Sequence, residues 1–289
     1  MKEYLNLLTE IRDHGYRKEN RTGIDTISKF GQIIKLDLTQ GFPLMTTKKM
    51  YTKGIIAELL FFLRGETDSK ILEKQNVNIW KGNTSKEFLE KQGLGYLPEG
   101  EIGCSYSHQW RNFGGEHPLV PETKGCVGYD QVKNVYDKLK TNPYDRRMIV
   151  NGWCANQLKY MALPPCHIMY IFYANPELKE LSCHLTIRSW DVFLGGPFNI
   201  ASLALFTHIM AKATGFIAKE ICISAVDAHI YVNHIDAIQT QLKRTPKQLP
   251  TLEILKDINS FEDIMNLQIE DFKFHNYVCD PAIPAPMAV

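Results

Sequence analysis

Leu163-Pro164-Pro165-Cys166-His167 places a thiol and an imidazole directly behind two prolines. The proline rings fix the backbone ahead of the sulfur, a rigid and partly polar mounting that suits a nucleophile. A solitary cysteine is more often a small buried hydrophobe. The six others, at 104, 126, 154, 183, 222 and 279, have no comparable setting and take that reading. Arginines form the second group. Arg21 sits in an Arg-Thr-Gly turn, Arg146 and Arg147 follow Asn-Pro-Tyr-Asp, and Arg188 precedes Ser189 at a strand end. Planar guanidiniums favour phosphate, although for any one of them a surface ion pair is the ordinary use.

Glu58 is embedded in Ile55-Ile56-Ala57-Glu58-Leu59-Leu60-Phe61-Phe62-Leu63. Burial there would raise its pKa towards neutrality, whereas on an exposed helix face it would be a solvated carboxylate. Asn199 follows Gly195-Gly196-Pro197-Phe198 at the expected start of a helix, where an asparagine commonly serves as N-cap. Its carboxamide could also read a base, since it complements the donor and acceptor of a uracil edge. His229 and Tyr231 are two apart, on one face only if the chain is extended there. His229 and His234 lack a carboxylate at ligand spacing, so no metal site is expected.

The elements that must carry these residues read as a mixture of strands and helices without regular βαβ spacing. Segments 29–37, 147–153, 168–174, 182–188 and 219–226 have strand patterns, and 54–64, 130–140, 199–214 and 228–243 have helical ones. The 199–214 segment is apolar nearly all round and stops at Gly215, which makes it the expected core helix. An N-terminal stripe of Tyr4, Leu5, Leu8 and Ile11 is helical and lacks a signal-peptide core. The stretch from Gly93 to Gly128 reads as a long irregular excursion. No linker or repeat divides the chain, so the expectation is one α+β domain over 1–289 built on a mixed or antiparallel sheet.

The 289 residues carry 33 Lys and Arg against 32 Asp and Glu, so no overall field favours DNA or an anionic membrane. No apolar run is long enough to span a bilayer. Seven scattered cysteines without a Cys-x-x-Cys pair fit neither a disulfide framework nor a zinc site, and a reducing cytoplasm is the expected compartment.

Taken in order along the chain, RTG (21–23), FPLMTTKK (42–49), ELLFFLRGET (58–67), NPYDRR (142–147), MALPPCH (161–167), IRSWDVFLGGPFNIAS (187–202), DAHIYVNH (227–234) and a terminal Met287-Ala288-Val289 closely resemble the thymidylate synthase family. The resemblance covers essentially the whole chain. It implies a large mixed sheet packed against helices and forming a homodimer interface. It also implies that Cys166 attacks carbon 6 of dUMP, turning carbon 5 into an enolate-like nucleophile for the methylene of methylene-tetrahydrofolate. Arg21, Arg188 and Ser189 would bind the nucleotide phosphate together with Arg146 and Arg147 from the other subunit. Asn199 would read the base, and His229 with Tyr231 would hold the sugar hydroxyl. Glu58, Tyr106, His167 and Asp191 would join Cys166 and Asn199 in the chemistry. Trp80, Asn83, Asp191 and Val289 would contact or enclose the folate. No metal takes part in this scheme.

The chain departs from that pattern where residues line the site. Ile187 and Ile171 replace two expected glutamines, and Cys154 replaces an asparagine after Trp153. Leu203 stands for a helix tyrosine, Trp190 for a small residue, and Lys81 for an acid. Gly103-Cys104-Ser105-Tyr106-Ser107 replaces an apolar segment around the tyrosine. A phage-type branch of the family, the nucleotide hydroxymethylases, adds water to the intermediate instead of delivering hydride. The departures, with Asn199 retained, point to a dUMP hydroxymethylase in which Cys104, Ser105 and Ser107 position a water; in a viral source it would work in the host cytoplasm. The alternatives are a synthase making dTMP, which the intact Trp80 and Met-Ala-Val tail favour, and a non-catalytic nucleotide- or RNA-binding homologue.

Overall fold

The structure, a computed structural model, describes residues 1–286. The expected roles of Val289 and the rest of the terminal tripeptide lie outside the described residues. The helices are α1 (Lys2–His14), α2 (Thr52–Arg64), α3 (Lys70–Glu73), α4 (Lys86–Lys91), α5 (Tyr106–Asn112), α6 (Gln131–Thr141), α7 (Gly195–Thr214), α8 (Ile235–Leu242) and α9 (Phe261–Met265). The main sheet comprises β1 (Tyr16–Lys18), β2 (Thr26–Asp37), β3 (Ile149–Asn151), β4 (His167–Asn175), β5 (Glu180–Asp191) and β6 (Ile217–Tyr231), in the order β1-β2-β6-β5-β4-β3. Its neighbours are antiparallel except for β5 and β6, so the sheet is mixed and the fold is α+β, as the patterning predicts. A small antiparallel pair, β7 (Thr251–Ile254) and β8 (Phe272–His275), stands apart.

The parallel β5–β6 pair requires a crossover, and α7 supplies it. This helix is buried on nearly all sides, from Gly196 and Pro197 to Ala213 and Thr214. It ends where Gly215 takes φ 80° and donates its amide to Ala211. Leu181, Cys183, Leu185 and Ile187 on β5 and Ile221, Ile223 and Ala225 on β6 are buried at alternate positions, the period of a sheet with one covered face. Large apolar side chains also stand outside the core, including Phe30 at 78%, Tyr173 at 70% and Ile33 at 66% exposure.

The ladder is interrupted at one level in three adjacent strands. Pairing passes from Phe30↔Asp227 to Gln32↔Ala225 between β2 and β6, and from Ile187↔Ala225 to Ser189↔Asp227 between β5 and β6. Gly31, Val226 and Arg188 are left between these pairs, and Gly31 takes φ 67°, a left-handed conformation that glycine adopts without a Cβ clash. Beyond the break the buried positions change parity: Ile187 is buried, Arg188 and Ser189 are not, and Trp190 is buried again.

Two expectations about elements require correction. The helix expected over 228–243 begins only at Ile235; residues 228–231 continue β6, because Ala228 and Ile230 pair with Lys29 and Ile27 of β2. Their apolar spacing served a strand covered by neighbours on both edges, a tertiary context that overrides local pattern. The excursion from Gly93 to Gly128 is not wholly irregular, since it contains α5, with Tyr106, Ser107, His108, Gln109 and Trp110 buried.

Candidate active site

Cys166 lies at the junction of the Pro164-Pro165 segment with β4, and two elements, α5 and β5, fasten it there. Its backbone N–H donates to the Tyr106 hydroxyl at 2.7 Å. The Arg188 guanidinium donates to the carbonyls of Pro165 at 2.9 Å and Pro164 at 3.0 Å, and the Arg188 amide donates to the carbonyl of Cys166 at 3.0 Å. Burial pushes the thiol pKa up, while the positive charges of Arg188 and Arg21 oppose it. The trend leaves the resting sulfur protonated, with two cations placed to stabilise the thiolate once it forms.

Cys166 opens into a cavity of about 740 Å³. Arg21, Arg188 and Ser189 line it, as do Trp80, Asn83 and Asp191. Glu58, on the second turn of α2, also reaches it and accepts a hydrogen bond from the Trp80 indole at 2.9 Å. Burial raises the Glu58 carboxyl to about 7, with the indole N–H pulling in the other direction. The carboxyl is therefore poised to gain or lose a proton near neutrality, as a group that manages protons should be. Tyr106 stacks on Phe62 with ring centroids 5.0 Å apart and meets Trp80 edge-on at 6.1 Å; burial pushes its phenol well up.

His167 follows the cysteine and points its Nδ1 at the Tyr170 hydroxyl, 3.1 Å away. Burial lowers the imidazole to about 4, with the neighbouring Asn199 amide opposing, so the ring is neutral at pH 7. Asn199 is not the N-cap that its position after Gly-Gly-Pro-Phe suggests, because α7 already begins at Gly195 and places it in the second turn. The turn ahead of α7 is held by Asp191, whose Oδ1 accepts from the amides of Phe193 and Leu194 at 3.1 Å each. Asn199 is thereby freed to face the cavity, and its Oδ1 accepts from the Trp190 indole at 3.0 Å.

Other expected residues are placed differently. His229 and Tyr231 are neighbours on β6, with ring centroids 5.5 Å apart, at the margin of the cavity rather than in its lining. His229 Nδ1 lies 3.2 Å from Asp227 Oδ1, and Asp227 also accepts from Ser28 and pairs with Lys18, contacts that hold its carboxyl far below the usual range. Arg146 and Arg147 are exposed ahead of β3 and do not reach the cavity of their own chain; Arg147 pairs with Asp145 at 3.0 Å. Cys104, Ser105 and Ser107 are fully buried, and none lines the cavity. Ser105 donates instead to the carbonyl of Leu163 at 3.1 Å, and Cys104 packs in a separate apolar cluster with Leu97 and Met161.

Sequence reasoning missed Trp153, Phe62 and Gln92 as lining residues. Trp153, with Arg188 Cζ 5.6 Å from its ring, carried a usable signal as an aromatic just beyond a strand; Gln92 carried none. Among the described residues no group of three His, Cys, Asp or Glu side chains could hold a metal ion, and no helix is long and apolar enough to cross a membrane.

Comparison with known proteins bears directly on this geometry. A family model described as thymidylate synthase matches residues 2–289. The chain is 42% identical over 287 residues to the thymidylate synthase of Homo sapiens, covering 99% of this chain and 90% of that protein. It is 43% identical over 304 aligned positions to the thymidylate synthase of Candida albicans, covering 99% and 96%. It is also 43% identical over 289 residues to the bifunctional dihydrofolate reductase-thymidylate synthase of Leishmania major, covering all of this chain but 55% of that protein. The chain thus spans about half the length of the bifunctional relatives it matches.

Proposed function

The chain belongs to the thymidylate synthase family, and from that premise we propose that it converts dUMP to dTMP, with methylene-tetrahydrofolate supplying the one-carbon unit and dihydrofolate leaving as coproduct. The observation that carries this reading is the fastening of Cys166 by Tyr106 and Arg188 in one cavity with Glu58 and Asn199. In this reading the Cys166 sulfur bonds to carbon 6 of the uracil, and the electron pair of the 5,6 double bond moves towards carbon 5 and the 4-oxygen. Arg21, Arg188 and Ser189 hold the phosphate, and Asn199 meets the base. Carbon 5 then bonds to the methylene as one of its two bonds to folate nitrogen opens. Tyr106 assists loss of the carbon 5 proton, and the remaining methylene–nitrogen bond breaks with its electron pair going to nitrogen, which leaves an exocyclic methylene on the ring. Glu58 manages protons through water at the 4-oxygen. Hydride from the folate completes the methyl group, and the sulfur–carbon 6 bond breaks to release dTMP and return the cysteine. Trp80, Asn83 and Asp191 shape the folate side and exclude bulk water.

This revises the water-addition product suggested by the departures from the family pattern. The relatives at 42–43% identity are named thymidylate synthases. The three residues expected to hold the added water are buried away from the cavity. Incubation with dUMP and methylene-tetrahydrofolate is expected to give dTMP by mass analysis and a rise in dihydrofolate absorbance. A hydroxymethyl nucleotide with tetrahydrofolate as coproduct would overturn the proposal.

A homodimer belongs to the same reading. Its support is that Arg146 and Arg147 are exposed and away from their own chain's cavity, while apolar side chains such as Phe30, Ile33 and Tyr173 stand uncovered on the sheet. Sedimentation of the chain as a dimer is the expected result, and a strict monomer with full activity would remove Arg146 and Arg147 from the site.

A further inference from the structure

Trp190 is a large, fully buried side chain at the end of β5, and the strand it pairs with presents only Ala228 beside it. Gly196 at the start of α7 also faces the ring: an added Cβ there would sit in van der Waals contact, 3.6 Å from the indole Cε2 and Cζ2. The indole N–H is spent on one acceptor, Asn199 Oδ1, at 3.0 Å. That contact fixes more than a distance. A carboxamide has two ends of nearly equal shape and opposite hydrogen-bonding character, and an indole N–H can only donate. With a buried donor against it, the oxygen end is held at Trp190, and the Nδ2 end of this cavity-lining side chain is the end free of the indole, with His167 also beside the amide. Turning the amide over would set donor against donor at a buried contact.

We propose that Trp190 is a specificity-determining positioning residue, which holds the Asn199 amide so that a pyrimidine meets an N–H donor at its 4-position. A 4-keto ring such as uracil supplies an acceptor there and is taken, whereas a 4-amino ring such as cytosine brings a second donor and is refused. This rests on the reading of the cavity as a pyrimidine nucleotide site and adds the means by which its base is chosen. The amide by itself could serve either ring by rotating. The indole removes that freedom.

The test is calorimetric titration of the full chain with dUMP and dCMP, for the wild type and for Trp190→Phe, which keeps a buried aromatic ring and removes the N–H. The wild type is expected to prefer dUMP. In W190F the preference should shrink roughly tenfold or more, mainly through tighter dCMP binding, because the amide is released to turn over. A purely structural role would weaken both nucleotides alike, and an unchanged dUMP-to-dCMP ratio overturns the inference. Thermal melting establishes that the variant is folded, and Trp190→Leu serves the same comparison if the phenylalanine is not accommodated. The wild type provides an independent arm in 4-thio-dUMP, whose sulfur is a poorer acceptor. It should bind roughly tenfold more weakly than dUMP, and equal binding overturns the claim that a donor faces the 4-position. Absence of any dUMP binding to the wild type would instead sink the nucleotide-site reading itself, an outcome distinct from dUMP binding with an unaltered ratio.

Discussion

The two sides of the cavity are built on different physical principles. On the side of β4, β5 and the Pro-Pro segment, directional bonds fix the backbone: Arg188 grips the Pro164 and Pro165 carbonyls, and Tyr106 receives the Cys166 amide. On the side of α2, Glu58 has one side-chain hydrogen-bond partner among the described residues, the Trp80 indole, and lines the cavity with Phe62, Trp80 and Tyr106. The first side controls where the sulfur is; the second controls how tightly a proton is held. Position is set by hydrogen bonds because they have angles, and acidity is set by apolar packing because desolvation has none.

Substitutions can break this contrast at either side. Cys166→Ala should remove turnover by roughly 10⁴-fold or more while leaving dUMP binding largely intact in a calorimetric titration; retained turnover would refute covalent catalysis. Glu58→Gln should lower kcat by roughly 10²-fold to 10⁴-fold without moving the backbone around Cys166. It should also erase an ionisation near 7 from the pH–rate profile. Arg188→Gln should cost about tenfold to a hundredfold in kcat/KM and should appear in both nucleotide affinity and turnover, because one side chain serves phosphate and backbone together.

A stability measurement sharpens the same contrast. Glu58 holds its proton in the folded chain up to about 7, whereas the unfolded chain releases it near 4.5. The folded state therefore binds more protons between those values, and the stability this group contributes is present below 4.5 and lost as the pH rises to about 7. Glu58→Gln has no such dependence, so in denaturant melts its stability relative to the wild type should grow by up to about 3 kcal/mol across that interval. A flat difference would show that Glu58 is not desolvated. The smallest effect is expected from Trp80→Phe, which removes the one contact that lowers the Glu58 pKa. The ionisation in its pH–rate profile should move upward by less than about one unit, and a downward move would reverse the assigned role of the indole.

Much of this arrangement was legible in the sequence where local pattern and tertiary context agree. The apolar run ending at Gly215 gave α7, and the period-two segments gave the central strands, because burial on one face writes itself into alternation. Residues 228–231 misled because a strand paired on both edges is buried without a clean alternation, and Ala228, His229 and Ile230 are all buried in sequence. α5 was hidden within a stretch rich in glycine and proline, since its seven residues are too few to show a helical period. Within the site, the proline-flanked thiol and the carboxylate among hydrophobes could be read from neighbours in the chain. The grip of Arg188 on Pro164 could not, because it joins residues 24 positions apart. The pinning of Asn199 by Trp190 depends likewise on how a strand end meets a helix, and no spacing records it.

The crease through Gly31, Arg188 and Val226 has a consequence for how β5 is used. An unbroken strand shows every second residue to a given side, so at most half of any short run can serve one ligand. Arg188, Ser189, Trp190 and Asp191 all line the same cavity. A hitch in the pleat lets four successive residues face one cavity, and the left-handed glycine of the neighbouring β2 lies at the same level of the sheet.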